Sequence, residues 1–86
     1  MTDRRERSFR GISKRLAMNY LENLDGERED EKTVAGEGWT ATLSERKVNI
    51  TGALKLNEVT VVFEGDADAL DPLVERFAQK AMRAGG

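Results

Sequence analysis

From Trp39 to Phe63 the chain follows a two-residue period, and that period constrains its class more than any other feature. Trp39, Ala41 and Leu43 fall on one side, with Thr40, Thr42 and Ser44 on the other. Val48 and Ile50 alternate with Lys47, Asn49 and Thr51, and Leu54 and Leu56 resume the alternation beyond Gly52. Val59, Val61 and Phe63 then stand opposite Glu58, Thr60, Val62 and Glu64. Successive side chains of a strand point to opposite faces, so this pattern makes half-buried strands of an antiparallel sheet. Gly36-Glu37-Gly38 and Glu45-Arg46 read as turns, Gly52 as a bend or bulge, and Val34 as a candidate short strand of its own. Three or four antiparallel strands are expected.

Two helical stripes flank this region. Phe9, Ile12, Leu16, Tyr20 and Leu24 recur at three- and four-residue spacing, with Ser8 as N-cap and Gly26 as the residue past the helix end. Gly11 weakens the first turn by about 1 kcal/mol relative to alanine. Leu70, Leu73, Val74, Phe77, Ala81 and Met82 form the second stripe. Pro72 belongs in its first turn, where a missing N–H is harmless, so Asp68 or Asp71 reads as its N-cap. Lys80 and Arg83 suit the negative end of that helix.

The order is helix, strands, helix: an α+β domain with both helices on the apolar face of the sheet. Eighty-six residues allow one such domain and one core. The expected division is a flexible basic N-terminus at 1–7, a single α+β domain at 8–84 and a Gly-Gly tail at 85–86. Phe9, Leu16, Trp39, Leu43, Ile50, Val61, Phe63, Leu73 and Phe77 are the expected large core residues. Tyr20 joins them.

The chain has neither cysteine nor histidine. That removes disulfides, Cys and His metal ligands, imidazole acid–base catalysis and the Ser-His and Cys-His nucleophiles. No cofactor is expected, and a non-enzyme is the reading that follows. No apolar run approaches the roughly 20 residues that span a bilayer, and the basic start lacks a secretory h-region, so a cytoplasmic location is expected. Asp25, Glu27, Glu29, Asp30 and Glu31 lack the spacing of a calcium loop and read as a solvated connector. Glu58 and Glu64, on the wet face of the sheet, are expected to keep ordinary pKa values.

Charge is unevenly distributed. Residues 1–24 carry six basic and three acidic side chains, and residues 25–37 two basic and six acidic. Arg4, Arg5, Arg7, Arg10 and Lys14, with Arg15 beside them, are the candidate contacts for an anion or a partner. No exposed aromatic interleaves them, so nucleic acid is disfavoured and pairing with the acidic 25–37 loop is the preferred reading.

Gly85 and Gly86 are the candidate attachment residues. A free Gly-Gly terminus is what ubiquitin-like modifiers and sulfur carriers present to an activating enzyme, because side chains there would collide with the channel that admits the tail. The alternative is a helix C-cap and nothing more.

The helix FRGISKRLAMNYLENL (Phe9–Leu24) and the closing stretch EVTVVFEGDADALDPLVERFAQKAMRAGG (Glu58–Gly86) together resemble small archaeal proteins related to the C-terminal domain of MoaD-related proteins. The resemblance implies a helix-grip, TATA-binding-protein-like arrangement and a connection to molybdopterin or sulfur-carrier pathways. It also implies a protein partner: an activating enzyme, a carrier or a synthase subunit. A protein-binding or homodimerising accessory module remains the alternative.

Overall fold

The computed structural model describes residues 2–85. Its elements are β1 (Asp3–Arg10), α1 (Lys14–Asn23), β2 (Glu27–Arg28), β3 (Thr33–Gly36), β4 (Trp39–Thr51), β5 (Leu54–Gly65) and α2 (Ala67–Gly85). The strands make one antiparallel sheet in the order β1-β5-β4-β3-β2. The α+β class is as expected, but the described residues hold five strands, and the first element among them is a strand.

The segment expected to fray and then enter a helix at Ser8 instead pairs along β5, with Arg5 opposite Phe63, Arg7 opposite Val61 and Phe9 opposite Val59. Phe9 misleads the helical reading because it lies three residues before Ile12 and so continues the stripe of α1. Its true neighbour sequence is the alternation Arg5, Arg7, Phe9, hidden by two arginines at an edge. Gly11, at φ 87°, reverses the chain after β1, and its N–H donates to the Asn57 carbonyl at 2.9 Å. Ser13, rather than Ser8, then caps α1, its hydroxyl accepting from the Leu16 N–H at 3.1 Å. At the other end Asp25 takes the left-handed conformation expected of Gly26, with φ 72°. Gly26 is required for space instead: a Cβ there would lie 2.6 Å from Val34 Cγ1 and 2.7 Å from the Trp39 ring.

Val34 is fully buried in β3, whose hairpin partner is β2. The expected turn at Glu45-Arg46 does not occur, and β4 runs through it to Thr51, with its turn at Gly52-Ala53 and a bulge between Asn49 and Thr51. α2 starts earlier than Pro72 implies. The Asp66 carbonyl accepts from the Ala69 and Leu70 N–H groups at 3.0 and 2.9 Å, which sets the helix start ahead of both Asp68 and Asp71. Pro72 therefore lies inside the helix, on its exposed side.

One face of the sheet carries both helices. α1 lies over β2, β3 and β4, and α2 over β1 and β5. Ala17, Met18 and Leu21 of α1 and Leu70, Leu73, Val74, Phe77 and Ala81 of α2 close over Val34, Trp39, Ala41, Leu43, Val59, Val61 and Phe63. Phe77 is the centre. Its ring meets Phe9, Phe63 and Tyr20 edge-on at 5.2, 5.7 and 6.3 Å, contacts worth about 0.5–1.5 kcal/mol each beyond burial. Two residues expected in the core are outside it: Met82 is 69% exposed, and Ile50 is exposed on the far hairpin.

Candidate interaction surface

The register determines which side chains share the uncovered face. Arg4, Glu6, Ser8 and Arg10 of β1 stand beside Glu64, Val62, Thr60 and Glu58 of β5, which in turn stand beside Thr40, Thr42, Ser44 and Arg46 of β4. The Ser8 and Thr60 hydroxyls bond at 2.9 Å. This is the polar face that the alternation predicts, crossed by rows of short hydroxyl side chains.

At the end of that face Glu58 is the exception. Its side chain is only 8% exposed and sits between two arginines, with Arg46 at 2.8 Å and Arg10 at 3.2 Å. Hydrogen bonds from Arg46 and then Arg10 hold its carboxyl below the ordinary glutamate value, so the expected unperturbed pKa is corrected for this residue. Three strands thus meet in one charge triad, assembled from positions 10, 46 and 58.

Beyond the triad β4 and β5 continue as a two-stranded ribbon past both helices, giving a molecule 44 Å long and about 20 Å thick. Here the apolar side changes face. Trp39, Ala41 and Leu43 point toward the helices, whereas Val48, paired with Leu56, has the opposite parity and continues the uncovered face. Leu54, two residues before Leu56, shares that side. Ile50, Leu54 and Leu56 are exposed. The sequence signal for this surface is the phase slip between Leu43 and Val48. A turn at Glu45-Arg46 explains the same slip, which is why the pattern reads as two strands.

The basic residues singled out from the sequence do not form one patch. Arg4 and Arg10 lie on the uncovered face, Arg5 and Arg7 on the helix side of β1, and Lys14 begins α1, its backbone N–H donating to Glu45 Oε2 at 2.8 Å. Arg4 pairs with Glu6 at 3.3 Å; Arg5 pairs with Asp71 at 3.1 Å and Asp3 at 3.5 Å. The expected pairing with the acidic 25–37 loop is absent among the described residues, because β1 and β2 are opposite edges of the sheet. That loop is organised locally: Asp30 accepts from the Lys32 N–H at 2.9 Å, a bond that lowers its pKa, and Arg28 pairs with Glu22 at 2.6 Å. Among the described residues no group of three acidic side chains is placed to hold a metal, and no helix is long and apolar enough to cross a membrane.

Beside β1 a groove of about 410 Å³ separates the sheet edge from α2, lined by Arg5, Arg7, Asp71, Val74, Glu75, Ala78, Gln79 and Met82. Of the candidate attachment residues, Gly85 is the last residue of α2 and Gly86 lies outside the described residues.

Residues 5–86 match the model of a family described as Archaeal MoaD-like protein. No curated protein matches the chain.

Proposed function

The chain belongs to the archaeal MoaD-like family, and from that premise we propose that it is a non-catalytic protein of a molybdopterin, sulfur-carrier or ubiquitin-like modifier pathway that works by being bound. The observation that supports this reading is the uncovered sheet face: mostly polar over β1, β5 and β4, and apolar where the ribbon carries Val48, Leu54 and Leu56 past the helices. A polar surface ending in a projecting apolar one suits a protein partner, such as an activating enzyme, a carrier or a synthase subunit. The two-helix layer over a single sheet face fits the helix-grip, TATA-binding-protein-like arrangement, which we propose as its fold relationship. A cytoplasmic location goes with that pathway.

In this reading an activating enzyme adenylates the Gly86 carboxyl with ATP, releasing pyrophosphate, and a sulfide-level sulfur donor or a lysine amine then displaces AMP to leave a thiocarboxylate or an isopeptide. A second reading has its own observation. α2 is helical as far as Gly85, so Gly85 closes a helix, and in this reading the chain is an accessory binding module.

Protein isolated from its own host separates the two. Mass spectrometry of the C-terminal peptide is expected to show one oxygen replaced by sulfur, or branched Gly-Gly remnants on other proteins, and deletion of Gly85-Gly86 to abolish the pathway activity. An unmodified carboxyl in the presence of the activating enzyme, with partner binding unchanged by the deletion, overturns the carrier reading in favour of the accessory module.

A further inference from the structure

We propose that the free edge of β1 is the interface for a second copy of this chain, paired antiparallel about a two-fold axis at Arg5. The two edges of the sheet are unequal. β2 has two residues, too few to template another strand, whereas β1 has eight and only one neighbour. The Gly11 N–H bonds to β5, and backbone direction alternates along a strand, so the N–H and C=O groups of Arg4, Glu6, Ser8 and Arg10 point away from β5 to the free edge.

An edge strand of one charge sign repels a copy of itself, which is how such edges are usually kept apart. This edge carries both signs, and their order selects one register. With the axis at Arg5, Arg4 faces Glu6 of the copy on the uncovered side, and Asp3 faces Arg7 of the copy on the helix side, each pair occurring twice by symmetry. Shifting the axis to Glu6 sets Glu6 against Glu6 and Arg5 against Arg7. Shifting it to Arg7 sets Arg7 against Arg7 and Arg4 against Arg10. Shifting it to Ser8 sets Glu6 against an Arg10 that Glu58 already holds, and pairs no charges on the helix side. Of these registers, only the one at Arg5 pairs opposite charges on both faces. Its one like-charge contact is Arg5 against Arg5, and each of these already bonds Asp71 of its own chain at 3.1 Å, which leaves Asp3 to turn from Arg5 to Arg7 of the copy. Arg7 takes part in no ion pair among the described residues, and the pairing gives it one.

The same register joins the two grooves between β1 and α2. Strands are about 4.8 Å apart, and α2 lies over β1 and β5, so the two α2 helices would run about 10 Å apart, a packing distance for helices. Val74 and Ala78 line the space between them. Ten strands would then form one sheet with all four helices on one side, leaving a doubled uncovered face for the partner. The pairing stands independently of the pathway reading, because it is measured as mass.

Sedimentation or light scattering of the intact chain is expected to show twice the 9.6 kDa mass as concentration rises, and a weaker dimer as salt is raised. Glu6→Arg is expected to lose the dimer and Arg4→Glu/Glu6→Arg to regain it. Asp3→Arg alone against Asp3→Arg/Arg7→Asp repeats the test on the helix side without setting a glutamate opposite Glu64. Leu54→Ser/Leu56→Ser, on the ribbon, is expected to leave the dimer intact. A wild-type chain that stays at 9.6 kDa up to millimolar concentration overturns the proposal. So does a folded pair of double reversals that both remain monomeric, or a dimer abolished by the ribbon variant.

Discussion

The covered half of the sheet and the projecting β4–β5 ribbon are made of the same two strands and obey the same alternation, yet only one of them has a core. Leu43 is 2% exposed, under the helices, whereas Leu54 is 51% exposed on the ribbon. The difference is the helix layer, which stops before the ribbon, and the change of apolar face near Glu58. Alternation states which residues share a side. What covers that side is decided by elements far away in the sequence. The residues on the ribbon therefore contribute little to folding and remain available to a partner.

The sharpest break of this comparison is Phe77→Ala. It removes the ring that joins Phe9, Tyr20 and Phe63, and about 3–5 kcal/mol of unfolding free energy should go with it in a urea titration. Next comes a matched pair. Leu43→Ala should cost about 2–5 kcal/mol, while Leu54→Ala should change stability by less than about 0.5 kcal/mol. Equal losses would show that the ribbon is part of the folding unit. Glycines give a smaller contrast of the same kind. A Cβ at Gly36 would overlap the Trp39 indole, so Gly36→Ala should lower the melting temperature by a shift corresponding to about 1–3 kcal/mol. Gly52, at the ribbon tip, has open space around it, and Gly52→Ala should melt with the wild type.

The smallest effect concerns the boundary between the two regions. Glu58 has a lower pKa folded than unfolded, because Arg46 and Arg10 stabilise its charged form. Folding thus favours the deprotonated state, and this contribution is complete above the ordinary glutamate value, about 4.3. As pH falls through the folded value it is lost. Glu58→Gln should therefore be less stable than the wild type near neutral pH, with the gap closing in acid when unfolding is followed from pH 7 down to 2.

Much of this was legible in the residues. The strand segments Trp39 to Leu43 and Val59 to Phe63, the stripe of α1 from Ile12 onward and the stripe of α2 from Leu70 to Ala81 have the period that their burial requires. What was hidden had a physical cause in each case. β1 is an edge strand with arginines at two of its helix-side positions: Asp71 and Asp3 receive Arg5, and Arg7 is exposed at the edge, both facts of tertiary structure. Ser8 and Ser13 are equally good caps in isolation, and only Gly11's reversal at positive φ chooses between them. The triad of Arg10, Glu58 and Arg46 could not be assembled without the registers of two strand pairs, and the early start of α2 depends on a backbone carbonyl, which no side-chain pattern reveals. The basic residues from Arg4 to Lys14 are close in sequence but not in space: the four arginines divide between the two faces of β1, and Lys14 begins α1.

Site-specific photo-crosslinking in host extract tests most directly whether the uncovered face and ribbon are where the chain is bound. A photoreactive amino acid placed at Ser44 or Leu54 should capture a protein of the sulfur-carrier or modifier pathway, identified by mass spectrometry, while the same group at Arg76, on the exposed side of α2, should not. Capture from Arg76 with none from Ser44 or Leu54 would contradict the assignment and move the binding surface to the helices.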